Sequence, residues 1–246
     1  MHSWQGKYIT VNILYSRAGV AQHIWVCNEH GALLFDAGDG VLRDLLSNNL
    51  DFDKLKGIVF THGHFDHVGG LHSLLGYLRM IGRKQTLAIY APEGCTELFA
   101  LVDTFTKCYT DTVPFNIDRK ELRPHEIFEH ARMIVKPYPV VHCGGIKDAT
   151  VLEKIPAFGY RITYKNNSIA ISGDTAVCPS LKELVKDADL AIIEATLEKS
   201  EGADREVLEK VHLSEDLAQE IGKLAKEYIL IHKGKRKKEM HIHTKD

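Results

Sequence analysis

The chain has 246 residues, 44% hydrophobic and 26% charged, with a formal net charge of -2. That length allows one large domain or two small ones around a substantial core. The near-neutral balance gives no general attraction to nucleic acid or to an acidic membrane, and no stretch approaches membrane-spanning length. Cys27, Cys95, Cys108, Cys143 and Cys178 are odd in number and lack C-x-x-C spacing. This argues for reduced thiols rather than a disulfide framework or a Cys-type zinc site. The opening MHSWQGKYITVNILYS has neither the charged n-region nor the long apolar h-region of a secretory signal. The expectation is a soluble cytoplasmic protein.

In chain order, short apolar runs rich in Val, Ile, Tyr and Phe predict strands at 9–15, 23–28, 32–35, 57–60, 86–90, 133–141, 158–164, 168–172, 190–193 and 228–231. Leucines at helical spacing predict helices over 41–50 and 70–80, the latter through Leu71, Leu74, Leu75 and Leu78. Further helices are predicted at 93–102, 180–187 and 214–226, the last opening on a capped Ser214-Glu215-Asp216 start. Residues 103–132 are the least regular and read as a lid or binding loop. With no linker and no repeat, the order fits one α/β domain over 1–246 whose two sheets are covered by outer helices. A basic run, KGKRKK at 233–238, begins a C-terminal tail that is either solvated or a phosphate-contacting lip.

The stretch FTHGHFDHVGG at 60–70 places His62, His64, Asp66 and His67 within six positions, directly after an apolar strand. A packed core cannot satisfy three such imidazoles, and a solvated loop gains nothing from them. A shared divalent ion, or two, explains the cluster. Alternation along an extended segment points His62 and His64 the same way, and the turn at 65–66 brings Asp66 and His67 to the same cavity. One loop cannot close a two-metal site, so further ligands are sought at the polar mouths of other strands. His142, Asp174 and His232 each follow such a strand. His72, in the helix after the motif, is a weaker candidate for supporting the ligands.

H-x-H-x-D-H after a strand, with later lone His, Asp and His at strand ends, resembles the metallo-β-lactamase superfamily, and the resemblance spans nearly the whole chain. It implies a four-layer αββα sandwich. It also implies two divalent ions, with zinc foremost and manganese or iron as alternatives. His62, His64 and His142 would hold the first ion, and Asp66, His67 and His232 the second, with Asp174 bridging. The turn Asp36-Ala37-Gly38 matches the family's early D-x-G turn, whose aspartate supports the metal loop from behind.

Finer features resemble the ribonuclease Z branch: Gly38-Asp39-Gly40, Ile89-Tyr90-Ala91-Pro92-Glu93-Gly94, Glu194-Ala195-Thr196 and His212-Leu213-Ser214. By that similarity Glu194 orients His212 as general acid, with Asp66, His212 and Glu194 the catalytic residues. A metal-bridging hydroxide would be the nucleophile. An imidazolium would protonate the leaving alkoxide, and a carboxylate beside it favours the charged form. Only Tyr164-Lys165-Asn166-Asn167 separates the strands between which long-armed ribonuclease Z enzymes insert a tRNA-gripping arm. Lys233-Gly234-Lys235-Arg236 also replaces the family's usual serine- and arginine-containing stretch after the last ligand. The expected substrate is therefore a small phosphodiester or a short nucleic-acid end, with no membrane partner and, by resemblance, a homodimer. Arylsulfatase-like, lactonase or thiolesterase activity on the same scaffold is the alternative, and a non-catalytic metal- or nucleic-acid-binding role a further one.

Overall fold

The computed structural model describes residues 1–147, 150–234 and 242–244. The chain divides into two compact units: Met1–Gln5, Ile9–Leu122 and His130–Arg132 form the first, and Gly6–Tyr8, Arg123–Glu129 and the chain from Met133 onward the second.

The first unit is built on a seven-stranded sheet in sequential order: β1 (His2–Gln5), β2 (Thr10–Arg17), β3 (Ala21–Asn28), β4 (Gly31–Phe35), β5 (Leu55–Val59), β6 (Leu87–Pro92) and β7 (Ile117–Leu122). Strands β1 to β4 pair antiparallel, whereas β4, β5, β6 and β7 run parallel. Parallel neighbours need crossover connections. Helix α1 (Val41–Ser47) supplies the first, α2 (Phe65–Val68) with α3 (Leu71–Met80) the second, and α4 (Thr96–Cys108) the third. Helix α3 buries Leu71, Leu74, Leu75 and Leu78, the i, i+3, i+4, i+7 stripe of its sequence. These leucines join Trp25, Leu34, Ile58, Phe60 and Ile89 in one core, each contributing roughly 2 kcal/mol on burial.

The second sheet is carried by β8 (Phe128–His130), β9 (Met133–Pro139), β12 (Phe158–Tyr164), β13 (Asn167–Ile171), β14 (Leu190–Glu194), β15 (Glu227–Ile231) and β16 (Ile242–Thr244), in the order β16-β15-β14-β13-β12-β9-β8. A two-stranded ribbon of β10 (Ile146–Lys147) and β11 (Thr150–Val151) stands apart from it. Strands β13, β14 and β15 are parallel. Helix α5 (Pro179–Val185) crosses between the first two, and α6 (Arg205–Lys210) with α7 (Glu215–Gly222) between the last two. Leu181, Leu184, Ala218 and Ile221 of these helices pack with Ala191, Ile193 and Leu230 of the sheet.

The stretch 103–132 is not the irregular lid its composition predicts. It holds the end of α4, strand β7, whose Arg119, Lys120 and Glu121 are exposed and which forms the sheet edge, and strand β8. The sequence Asp118-Arg119-Lys120-Glu121 lacks an apolar face because a charged edge strand needs none, and charge there protects the edge from unwanted pairing. Residues 235–238 of the basic run lie outside the described residues. Lys233 is described, and its Nζ lies 3.3 Å from Glu215 Oε1. All five cysteines are free, and no helix among the described residues is long and apolar enough to cross a membrane.

Gly38 and Gly70 share the closest approach in the first unit. A Cβ on Gly38 would lie 2.2 Å from the Asp66 carbonyl oxygen and 2.7 Å from the Gln22 nitrogen, both backbone atoms unable to move aside. Gly38→Ala is therefore expected to lower unfolding free energy by about 1–3 kcal/mol, measured as a lower urea midpoint.

His23, on β3, is fully buried with Nε2 2.9 Å from Asp44 Oδ2. Burial pushes its pKa below the ordinary 6.5, and the Asp44 hydrogen bond offsets this only in part. Below pH 6.5 the unfolded chain thus binds a proton at this position that the folded chain refuses, so stability falls as pH drops from 6.5 toward the depressed folded value. Urea midpoints between pH 8 and pH 5 should fall more steeply for the native sequence than for His23→Gln.

Candidate metal centre

The candidate donors fall in two groups, one in each unit. In the first, β4 and β5 run parallel with Phe35 opposite Val59, so the residues just past their C-terminal ends are neighbours. Asp36 follows β4 in a left-handed conformation (φ 58°) and is fully buried. Its Oδ1 accepts the Thr61 backbone N–H at 2.8 Å, and its Oδ2 takes Gln22 Nε2 at 3.1 Å and His67 Nδ1 at 2.8 Å. Thr61 Oγ1 donates to the same carboxylate and lies 3.0 Å from His62 Nδ1.

These bonds decide the tautomers. A carboxylate at His67 Nδ1 makes that nitrogen the protonated one, and Nε2 carries the lone pair. The Thr61 hydroxyl spends its proton on Asp36, so it accepts from His62 Nδ1 and leaves that ring in the same tautomer. His62 stacks edge-on to His64 at 4.7 Å between ring centroids and lies 4.1 Å from His67. Asp66 Oδ1 is 4.0 Å from His67 Nε2, within the span of two ligand bonds of about 2.1 Å to one ion. The structure thus brings His62, His64, Asp66 and His67 together as the spacing predicts. Asp36 supports them from behind, as the family resemblance implies.

Two further contacts frame this loop. Gly19 N–H, at the tip of the β2–β3 hairpin, donates to Asp66 Oδ2 at 2.9 Å. On the other side, a Cβ on Gly63 would come within 3.0 Å of both Cys95 Sγ and Glu97 Oε2. Burial pushes the Cys95 thiol up to about 12, which makes it a protonated, apolar-packed side chain at neutral pH. His72 is exposed and packs edge-on to Phe105 at 5.5 Å, so it supports no ligand.

In the second unit the same logic of parallel strand ends applies. Asp174 lies three residues past β13, Glu194 ends β14 opposite Ile231, and His232 follows β15 with φ 52°. His142 Nδ1 donates to the Val211 carbonyl at 2.8 Å, which again puts the lone pair on Nε2. His142 Nε2 is 4.0 Å from Asp174 Oδ2, and His232 Nδ1 is 3.4 Å from Asp174 Oδ1. Donor atoms of Asp174, His212 and His232 lie within 4.8 Å of one another.

Glu194 is fully buried, and His212 Nδ1 lies 2.9 Å from its Oε1. The same oxygen accepts the backbone N–H of Thr175 and of Leu213, each at 3.1 Å, and Oε2 accepts that of Thr196 at 2.9 Å. The pairing expected from sequence is therefore present. Thr61 and Thr196 lie inside motifs quoted from the sequence but were given no role there, and the Val211 carbonyl has no sequence signal. Thr196 Oγ1 donates to the His232 carbonyl and lies 3.1 Å from His232 Nδ1.

In each unit the donors fit a divalent ion of borderline softness. Buried imidazoles whose Nδ1 is held by an oxygen (His62 and His67 in the first unit, His142 in the second) accompany the half-buried His64 and the buried carboxylates of Asp66 and Asp174, the ligation that hydrolytic zinc prefers.

Comparison with known proteins places this architecture. Residues 32–233 match the model of the beta-lactamase superfamily domain, and the chain belongs to that family, with its metallo-β-lactamase fold and the divalent-metal binding the fold implies. Among its relatives is the ribonuclease Z of Bacillus subtilis, 29% identical over 207 residues. The match covers 68% of this chain and 66% of that protein, just under two thirds of the relative's own length. The solved structure of the short form of human tRNase Z superposes with a TM-score of 0.75 at 25% identity, covering 93% of this chain and 94% of that one. Zinc-bound PqqB from Methylobacterium extorquens shares the fold, with a TM-score of 0.70 at 17% identity over 91% of this chain and 89% of that one.

Because Asp36 fixes both Thr61 and His67, Asp36→Asn should weaken zinc binding about 10–100-fold. Competition against a chromophoric chelator measures this directly.

Proposed function

We propose that the chain is a dinuclear metal-dependent phosphodiesterase of the ribonuclease Z type, with residues 1–246 acting as one hydrolase domain. In this reading His62, His64 and His142 would hold one ion and Asp66, His67 and His232 the second, with Asp174 shared between them. Zinc is the expected metal, with manganese or iron as alternatives. The observation that carries the reading is the 2.9 Å contact between His212 and Glu194, set beside Asp174 and His232. Ribonuclease Z relatives and the beta-lactamase superfamily match support the same reaction class.

When bound, the ions supply a nucleophile at neutral pH and neutralise charge on the phosphate oxygens. The chain's own residues do the rest. Glu194 holds His212 Nδ1–H, so the imidazolium presents Nε2–H outward. As the P–O bond to the leaving group breaks, that proton passes to the leaving oxygen, and His212 ends neutral. Asp66, which would help hold an ion, takes its orientation from the Gly19 N–H.

The substrate is proposed to be small. Strands β12 and β13 pair with Tyr164 opposite Asn167, so only Lys165 and Asn166 form the turn. That turn has no room for a tRNA-gripping arm, which favours a compact phosphodiester or a short nucleic-acid end, handled in the cytoplasm by a homodimer. Carboxylic ester or lactone cleavage would not need the His212–Glu194 pair in the same way.

His212→Ala should lower turnover of a diester with an alkoxide leaving group about 10²–10⁴-fold. Bis(p-nitrophenyl) phosphate, whose leaving group needs little protonation, should lose much less. Zinc content by elemental analysis should stay at two per chain. Unchanged turnover on both substrates would overturn the acid assignment.

A further inference from the structure

Phe65 is 68% exposed, and it is the one aromatic side chain in the exposed class among the described residues. Single exposed hydrophobic residues are ordinary, and Met80 and Leu46 are of that kind. Phe65 differs in its place, between His64 and Asp66 in the middle of the donor loop. Its neighbours Asp66, His67 and Val68 are all buried, so the ring stands alone out of a fixed surface. The backbone beneath it is pinned, with Gly69 N–H donating to the Phe65 carbonyl at 2.7 Å and Val68 N–H to that of His64 at 3.1 Å. Behind the loop, Cys95 and Glu97 lie close to Gly63, where a Cβ would come within 3.0 Å of either side chain.

A second apolar group adjoins the loop. The bond from Gly19 N–H to Asp66 Oδ2 ties the tip of the β2–β3 hairpin to it, and the next residue, Val20, is 40% exposed. Val20 N–H donates to the Arg17 carbonyl at 3.1 Å, which closes that tip into a turn. An apolar ring in the donor loop and a branched aliphatic side chain on the hairpin tip tied to Asp66 are thus both exposed. A phosphate ester has no apolar part for them unless it carries one.

We infer that Phe65 is the stacking face for a planar aromatic group borne by the substrate, either a nucleobase or a simple aryl group, with Val20 on the tied hairpin tip as a second apolar group. The inference rests on reading the donor cluster as a phosphoester-cleaving centre, and it narrows the substrate to esters with an aromatic substituent close to the phosphorus.

Binding rather than turnover tests it. Isothermal titration of the zinc-loaded full chain with adenosine monophosphate, ribose phosphate and phenyl phosphate separates the contributions. Stacking should make adenosine monophosphate bind about tenfold tighter than ribose phosphate. Phe65→Ala should abolish that difference and Phe65→Trp preserve it, with unchanged zinc content and thermal midpoint. Phenyl phosphate binding like the nucleotide assigns the face to aryl groups in general, and binding like ribose phosphate assigns it to nucleobases. Equal or undetectable binding of the nucleotide and ribose phosphate, or a preference that survives in Phe65→Ala, overturns the inference. Turnover of bis(p-nitrophenyl) phosphate is scored separately, so a failure of the phosphodiesterase reading is distinguishable from a failure of the stacking face.

Discussion

A buried imidazole serves as a ligand only if something fixes which of its nitrogens carries the proton. In this protein that task falls to oxygen atoms at Nδ1: the Asp36 carboxylate at His67, the Thr61 hydroxyl at His62, and the Val211 carbonyl at His142. Asp36 is the most heavily used of them. It serves Thr61 twice, His67 once and Gln22 once, so removing its charge would disturb two candidate ligands together. Without these partners the rings would be buried polar groups with no hydrogen bond at Nδ1, which is costly.

The two units reach the same solution through the same backbone device. Each places candidate donors just past the C-terminal ends of parallel strands, β4 and β5 in one, β13 and β15 in the other. Parallel pairing puts those ends side by side, and the crossover helices lift the following chain away, leaving a polar margin at the sheet edge. Antiparallel strands would send successive ends to opposite edges. Asp36 and His232 both adopt left-handed φ values at this margin, a cost of about 1–3 kcal/mol each that surrounding hydrogen bonds must hold in place.

Much of this was legible in the sequence, and the reasons are local. The strand before His62 and the leucine stripe of α3 have unambiguous periods, and H-x-H-x-D-H is dense enough to have one physical explanation. Glu194 and His212 were legible through resemblance, not periodicity, because eighteen positions separate them and only the fold brings them to 2.9 Å. Strand β7 was not legible, since an exposed edge strand of Asp, Arg, Lys and Glu looks like a solvated loop. The Val211 carbonyl was invisible for a deeper reason. A backbone acceptor has no residue type, so nothing in the sequence marks the one that holds His142.

Glu194 bears on which group could deliver a proton to a leaving oxygen. Besides the His212 imidazole it takes three backbone N–H groups, from Thr175, Thr196 and Leu213. Two of these donors immediately follow Asp174 and His212 in the chain. The carboxylate therefore cannot drift with the ring, and it ties the position of a candidate bridging ligand to that of the candidate acid. A proton donor held at one nitrogen by an anchored carboxylate has one direction in which to give. That suits a leaving oxygen at a fixed place more than it suits a freely rotating surface histidine or a structural cap.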